Sequence, residues 1–223
     1  FIYTEIDAEL KHIYDIDRLK RRIQLARLHP FEINFLYDSL IASQSILKHL
    51  TSIEDSSVLE ELLEQQPQLQ KAILDIESTF NLDETTKYTQ GEISQNFFQS
   101  GFNDEIDRLI QQRNGLEEKL ETIRTEFVHL IEQQTGKPER DYVVIKYLEK
   151  EGHHISITKS RYFLIEHTLS DSYISIDETV YALNDFTVKI QTGNVKITAE
   201  IMKDISENIT LLNKKISALV RNL

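Results

Sequence analysis

The chain has no cysteine anywhere in its 223 residues. That absence excludes disulfides, zinc-thiolate centres and a thiol nucleophile, and it fits an intracellular, reducing compartment with cytosol, nucleus and organelle all open. No run of eighteen apolar residues occurs, and the opening "FIYTEIDAEL" has neither a basic nor an apolar leader region, so neither a membrane span nor a signal peptide is expected. Nor does the sequence begin with methionine, and it reads as a piece of a longer protein. Two catalytic patterns are also missing. There is no Gly-x-Ser-x-Gly elbow, and the "GKP" at Gly136 to Pro138 has Ile131 where a phosphate-binding loop needs its first glycine and Pro138 where it needs Ser or Thr. The chain by itself is therefore expected to be non-enzymatic.

Acidic residues outnumber basic ones, 37 to 25, for a formal charge of −12. Such a surface repels nucleic acid over most of its area, yet a local basic patch still binds phosphate if the negative charge lies elsewhere. Hydrophobic residues make up 40%, enough for a buried core in one or two domains.

The first half of the chain reads as helical. Ile6 to Leu28 mixes apolar and polar residues at helical spacing and closes at His29-Pro30, because the residue before proline is pushed out of the helical region. Pro30 then opens a helix whose Ile33, Leu36, Leu40, Leu47 and Leu50 share a face. A third helical stretch runs from Ser56, with Pro67 as a break or restart, and residues 81–100 read as a loop.

Two later segments carry heptad spacing. Phe102, Ile106, Leu109, Arg113, Leu116, Leu120, Ile123, Phe127 and Leu130 alternate steps of four and three, a seam on a helix roughly 40 Å long. Gly136 is placed to end it in the left-handed conformation. Ile205, Ile209, Leu212, Ile216, Leu219 and Leu223 repeat the alternation. Between the seams the period changes: "YVVIKYL", "HISIT", "YFLIE", "YISI" and "FTVKI" read as strands, separated by turns at Glu151-Gly152 and Asn184-Asp185. The expected class is mainly α with a small β insertion: a helical core at 1–101, an outgoing lever helix at 102–135, a β-rich clamp at 136–197 and a returning lever at 198–223. A coiled-coil spacer or protein-interaction module, with no nucleic acid involved, fits the same periodicity.

Four stretches resemble the MutS family of DNA mismatch-repair proteins. Asp15, Ile16, Asp17, Arg18, Leu19, Arg22 and Pro30 match the opening of that family's core domain, with Asp17 in place of the usual Glu. Gly101, Phe102, Glu105, Ile106 and Asp107 resemble the start of its lever helix. "TGKPERDYVVIKYLEKEGHHISITKS" is similar to its helix exit, strand, glycine turn and strand. Finally, "ITAEI" at Ile197 to Ile201 resembles the start of its returning lever, with Ala199 replacing a proline. Gly152-His153-His154 departs from the family's Gly-Tyr-Tyr hairpin, and Thr187-Val188-Lys189 matches the Thr-Leu-Lys-Asn stretch before the lever only loosely, which points to a divergent branch.

The resemblance implies a clamp that closes on duplex DNA through its backbone, levers that couple it to an ATPase domain elsewhere, ATP and Mg as full-length cofactors, and a homodimer or heterodimer. No Phe-x-Glu mismatch wedge stands at any phenylalanine, so a mismatch-repair role and a recombination role are both open. Phosphate contacts need Lys, Arg, Ser, Thr or main-chain amides. Thr158, Lys159, Ser160 and Arg161 form such a cluster at an expected strand end, with Lys146, Lys189 and Lys196 as secondary candidates. A solvated turn is the competing reading of that cluster. Binding by this chain alone is expected to be weak and salt-sensitive. Adjacent strand residues point to opposite faces, so His153 and His154 are not expected to share a metal.

Overall fold

The computed structural model describes residues 2–51, 57–88 and 95–223. Helix takes 64% of it and the rest includes a small antiparallel sheet, as the expected class has it. By contacts the chain divides into two compact units, residues 1–107 with 217–223, and residues 108–216.

The first unit is helical: α1 (Ile2–Leu10), α2 (Ile16–Gln24), α3 (Pro30–Leu50), α4 (Ser57–Glu64), α5 (Gln66–Thr79) and α6 (Leu82–Thr85). The continuous helix expected over 6–28 is broken at residues 11–15, because the Asp15 side chain accepts from the Arg18 amide at 2.9 Å and so caps a new start. Leu19 is fully buried. Arg22 Nε lies 2.9 Å from Glu32 Oε2, and a terminal nitrogen of Arg22 donates to the Arg27 carbonyl at 2.8 Å. Glu32 Oε2 also accepts from the His29 amide at 2.9 Å, just ahead of Pro30. The Asp15, Leu19, Arg22 and Pro30 pattern is thus a corner-builder, joining the end of α2 to the start of α3. Of the face expected on α3, Ile33 is buried while Leu36, Leu40, Leu47 and Leu50 are half-buried, and the tightest positions go to small Ser39 and Ala42. Ser56 and residues 89–94 lie outside the described residues. The loop expected over 81–100 contains α6, capped by the Asn81 side chain.

Helix α7 (Asp104–Thr135) opens on Asn103, whose side-chain oxygen accepts from the Glu105 and Ile106 amides at 3.0 Å. Gly101, at φ +89°, donates its amide to Asp107 at 2.6 Å. Phe102 lies before the helix, stacked on Phe98 at 4.5 Å, so the helical seam begins at Ile106 rather than at Phe102. Helix α7 ends where Gly136 turns to φ +65° and bonds the Glu132 carbonyl at 2.8 Å, as its spacing predicts.

The second unit contains most of α7 and β1 (Val143–Leu148), β2 (Gly152–Thr158), α8 (Lys159–Ile165), β3 (Tyr173–Ile176), β4 (Thr179–Ala182), β5 (Thr187–Ile190), β6 (Asn194–Thr198) and the larger part of α9 (Glu200–Asn222). Four strands form an antiparallel sheet in the order β1-β2-β6-β5, and β3 pairs with β4. "YFLIE" is not a strand. Tyr162 and Ile165 are buried three residues apart while Phe163 and Leu164 are exposed, a helical period that the apolar run conceals. Strands β4 and β6 were not expected from the sequence.

Strand alternation sends Val143, Ile155, Ile157, Val195 and Ile197 to one face. There they join Leu120, Ile123, Phe127 and Ile131 of α7 and Met202, Ile205 and Ile209 of α9 in one core. Each such fully buried aliphatic side chain contributes about 1.5–3 kcal/mol. On α9, Leu212 and Ile216 are buried, but the seam then passes to Val220, leaving Leu219 half-buried and Leu223 exposed.

The β1–β2 turn rests against α9. A Cβ on Gly152, which sits at φ +75°, would fall 2.7 Å from the Ser206 side chain. Ser206 Oγ accepts from the His153 amide at 2.7 Å and donates to the Met202 carbonyl at 2.6 Å. Gly152→Ala therefore meets backbone strain and a clash together, and should lower unfolding free energy by about 2–4 kcal/mol. Urea denaturation checks this; a loss below about 0.5 kcal/mol would show that the turn is not held at that distance.

Candidate nucleic-acid interface

Charge is sorted by element in the second unit. The four strands of the main sheet read VVIKYL, GHHISIT, TVKI and NVKIT and contain no acidic residue, in a chain whose overall charge is −12. Their lysines are Lys146, Lys189 and Lys196. Cross-strand register pairs Lys146 with His154, Ser156 with Lys196, and Lys189 with Lys196. All therefore lie on the face opposite the apolar core, together with Thr158, Asn194, Thr187 and Thr198. The sequence scattered these residues over more than 40 positions, and only the pairing of β6 between β2 and β5 assembles them. Recognising β6 would have exposed the pattern; His154, Ser156 and Asn194 were missed for want of it.

The three lysines differ in setting. Lys146 and Lys189 are exposed, whereas Lys196 is 5% exposed and forms an ion pair with Glu151 of the β1–β2 turn. That pairing holds the Glu151 carboxyl below the usual carboxylate range, by the hydrogen bond first and the charge of Lys196 second. His154, on the same face, is 6% exposed. Burial pushes its imidazole below the ordinary value and Lys196 adds to this, while the Gly152 carbonyl and Glu151 oppose.

His153 lies on the other side, its Nδ1 2.9 Å from Ser206 Oγ. Burial lowers its basicity too, against the charge of Glu117. The two histidines take opposite faces as expected. Among the described residues no group of three His, Asp or Glu side chains is placed to hold a metal.

Thr158, Lys159, Ser160 and Arg161 stand at the junction of β2 and α8, not at a free strand end. Thr158 closes β2 in an extended conformation, with its Oγ1 3.3 Å from Ser160 Oγ. Ser160 is exposed and Lys159 half-buried. Arg161 is engaged internally: it pairs with Glu139, donates to Thr158 Oγ1 at 3.3 Å, and lies 3.4 Å over the Tyr142 ring. Glu139 is buried at 6% and accepts this pair while its own amide donates to Glu132 at 3.0 Å. From α7, Arg124 donates to the Arg140 and Val143 carbonyls at 3.0 Å and to Glu121 at 2.5 Å. Its hydrogen bond holds the Glu121 carboxyl below the usual range. Arg124 and Arg161 thus fix the segment leading from α7 into β1.

The β1–β2 turn also borders a cleft of about 400 Å³ against α9, where Lys150, Lys203 and Lys214 face Glu149, Glu151 and Glu207. Opposite charges balance there, in contrast to the sheet face. Lysines and hydroxyls on the sheet face offer donors to an anion.

The fold and this face together define a helical protein carrying a small antiparallel sheet with a basic outer surface. No protein-family model matches the chain. Two curated proteins do. One, from Acanthamoeba polyphaga mimivirus, is named as a DNA mismatch repair mutS homolog and is 22% identical over 99% of this chain. The other is the DNA mismatch repair protein MutS of Caldicellulosiruptor bescii, 24% identical over 99% of this chain. The chain spans 20% of the length of the first and 25% of the second. The likeness to MutS-named proteins is low in identity and nearly complete in extent.

Loss of the Arg161 guanidinium strands the Glu139 carboxylate. Arg161→Ala should cost roughly 3 kcal/mol in urea unfolding, and Arg161→Lys should recover only part, because an ammonium cannot reproduce the planar stack on Tyr142. Full recovery by Lys would show that charge alone matters there.

Proposed function

We propose that the chain is the core, lever and clamp portion of a MutS-like DNA mismatch-repair or recombination protein. Its sheet domain grips duplex DNA by the phosphate backbone, and its long helices couple that grip to an ATPase domain carried elsewhere in the protein. The observation that carries the reading is the charge of the sheet: in an acidic chain, four strands free of carboxylates gather Lys146, Lys189 and Lys196 on one outward face. Similarity to two MutS-named proteins over 99% of the chain supports it independently. Helix α7, with 32 residues or about 48 Å of axis, suits a lever, and α9 with 23 residues suits its return.

In this reading 1–101 is the core, 102–135 and 198–223 are levers, and 136–197 is the clamp. The chain binds DNA without hydrolysing nucleotide; ATP, Mg and dimerisation belong to the whole protein. No described helix is long and apolar enough to cross a membrane. Main contacts come from Lys146 and Lys189, with Lys159, Ser160 and Thr158 at the β2–α8 junction beside them. Arg161 serves by holding that junction in place.

A low-salt titration of a labelled DNA duplex tests this. Backbone contacts predict a linear fall of log affinity with log salt, at a slope of about −0.9 per phosphate neutralised, and no preference for sequence. Replacing Lys146, Lys159 and Lys189 together by Ala should flatten the slope by about 2–3. No duplex binding in dilute salt would overturn the reading and favour a coiled-coil module that binds protein.

A further inference from the structure

The outward face of the sheet has a buried centre. His154 and Lys196 point away from the apolar core, yet they retain only 6% and 5% of their exposure, and the His154 Nδ1 is buried with no hydrogen-bond partner. A buried ammonium demands a compensating anion. Here that anion is the carboxylate of Glu151, reaching from the β1–β2 turn while 57% of its side chain stays in solvent. An exposed carboxylate laid over a buried lysine marks a place where an oxyanion sits, and it is a small, displaceable one. Lys146 stands across from His154, and Lys189 across from Lys196, so two exposed ammonium groups flank that place.

Resting on the DNA-backbone reading above, we propose that one phosphate group displaces the Glu151 carboxylate, seats over Lys196 between Lys146 and Lys189, and that His154 takes one proton from solvent as the phosphate arrives. The geometry makes these events one. In the empty site the imidazole is disfavoured as a cation by its burial and by Lys196, with Lys146 adding on β1; the Gly152 carbonyl and Glu151 oppose them, and Lys189 on β5 acts on Glu151. The phosphate replaces the charge of the displaced Glu151 with its own and brings further acceptor oxygens to the face that holds the ring; a hydrogen bond from the charged ring to one of them favours imidazolium. Released from Lys196, Glu151 turns to the solvent already around it.

The sign of the linkage follows. The free-state pKa of His154 lies below its ordinary value, and in the proposed complex the phosphate raises the bound-state pKa above the free one. Between the two, the complex holds one more proton than the separated partners, so affinity falls as pH rises, approaching about tenfold per pH unit. Above both values the ring is neutral in either state and the dependence vanishes.

The test is a duplex titration of the 223-residue chain at fixed low salt over the histidine range, about pH 5 to 8. The unmodified chain should bind more tightly toward the acid end. His154→Gln should lose that slope while binding like the unmodified chain at the alkaline end. Glu151→Gln leaves an amide oxygen to accept from Lys196 but removes the competing carboxylate, so the variant, once circular dichroism shows it folded, should bind several-fold more tightly. A second arm titrates inorganic phosphate and follows the His154 ring protons by NMR. If the duplex binds but the slope survives in His154→Gln, or Glu151→Gln binds no tighter, the proton-linked seat is overturned and the DNA reading stands. If the duplex does not bind but phosphate raises the His154 pKa, the seat stands for a free anion and the DNA reading falls. If neither ligand moves His154, the seat is overturned.

Discussion

The arrangement of the second unit depends on the pleat of one four-stranded sheet, one face of which carries the apolar core. Val143, Ile155, Ile157, Val195 and Ile197 are buried against α7 and α9, and a strand that buries one residue must turn the next outward. With the apolar set fixed, Lys146, His154, Ser156, Lys189 and Lys196 have no freedom to be anywhere but on the opposite face. A slip of one residue in β6 would exchange Lys196 with Val195 or Ile197 and put a charge into the core. The register that stabilises the unit therefore also assembles its basic surface.

That surface is small against a chain whose formal charge is −12. Its centre is neither simply exposed nor simply buried. Lys196 draws its counter-charge from a turn residue, while Lys146 and Lys189 on the same face stay exposed. The turn is in turn held by Gly152 on Ser206 of α9, which leaves the Glu151 side chain above the sheet. The positions that differ from the MutS-like hairpin, His153 and His154, are the ones that divide these duties: one binds α9, the other sits under the lysines.

The motif residues of the helical unit have structural reasons of their own. Asp15 caps α2, Leu19 fills the core, Arg22 and Glu32 brace the corner, and Gly101 with Asp107 sets the entry to α7. Caps and corners of this kind tolerate few substitutes.

Periodicity alone determined the helical class, the two long helices, the end of α7 at Gly136 and the turn at Gly152, because caps, heptads and left-handed glycines act within a few residues of chain. It misjudged "YFLIE", where four apolar residues fit a strand or a helix equally and the neighbouring core chose the helix. It also placed Arg161 among the free phosphate donors, whereas Glu139 and Tyr142, 22 and 19 positions away in the chain, come to surround its guanidinium. Lys146 and Lys189 were legible one at a time as basic residues in strands, and Lys196 as a basic residue outside any expected strand. Their union with His154 on one face was decided only by the pairing of β2 with β6, a contact across some 40 residues that local spacing does not encode.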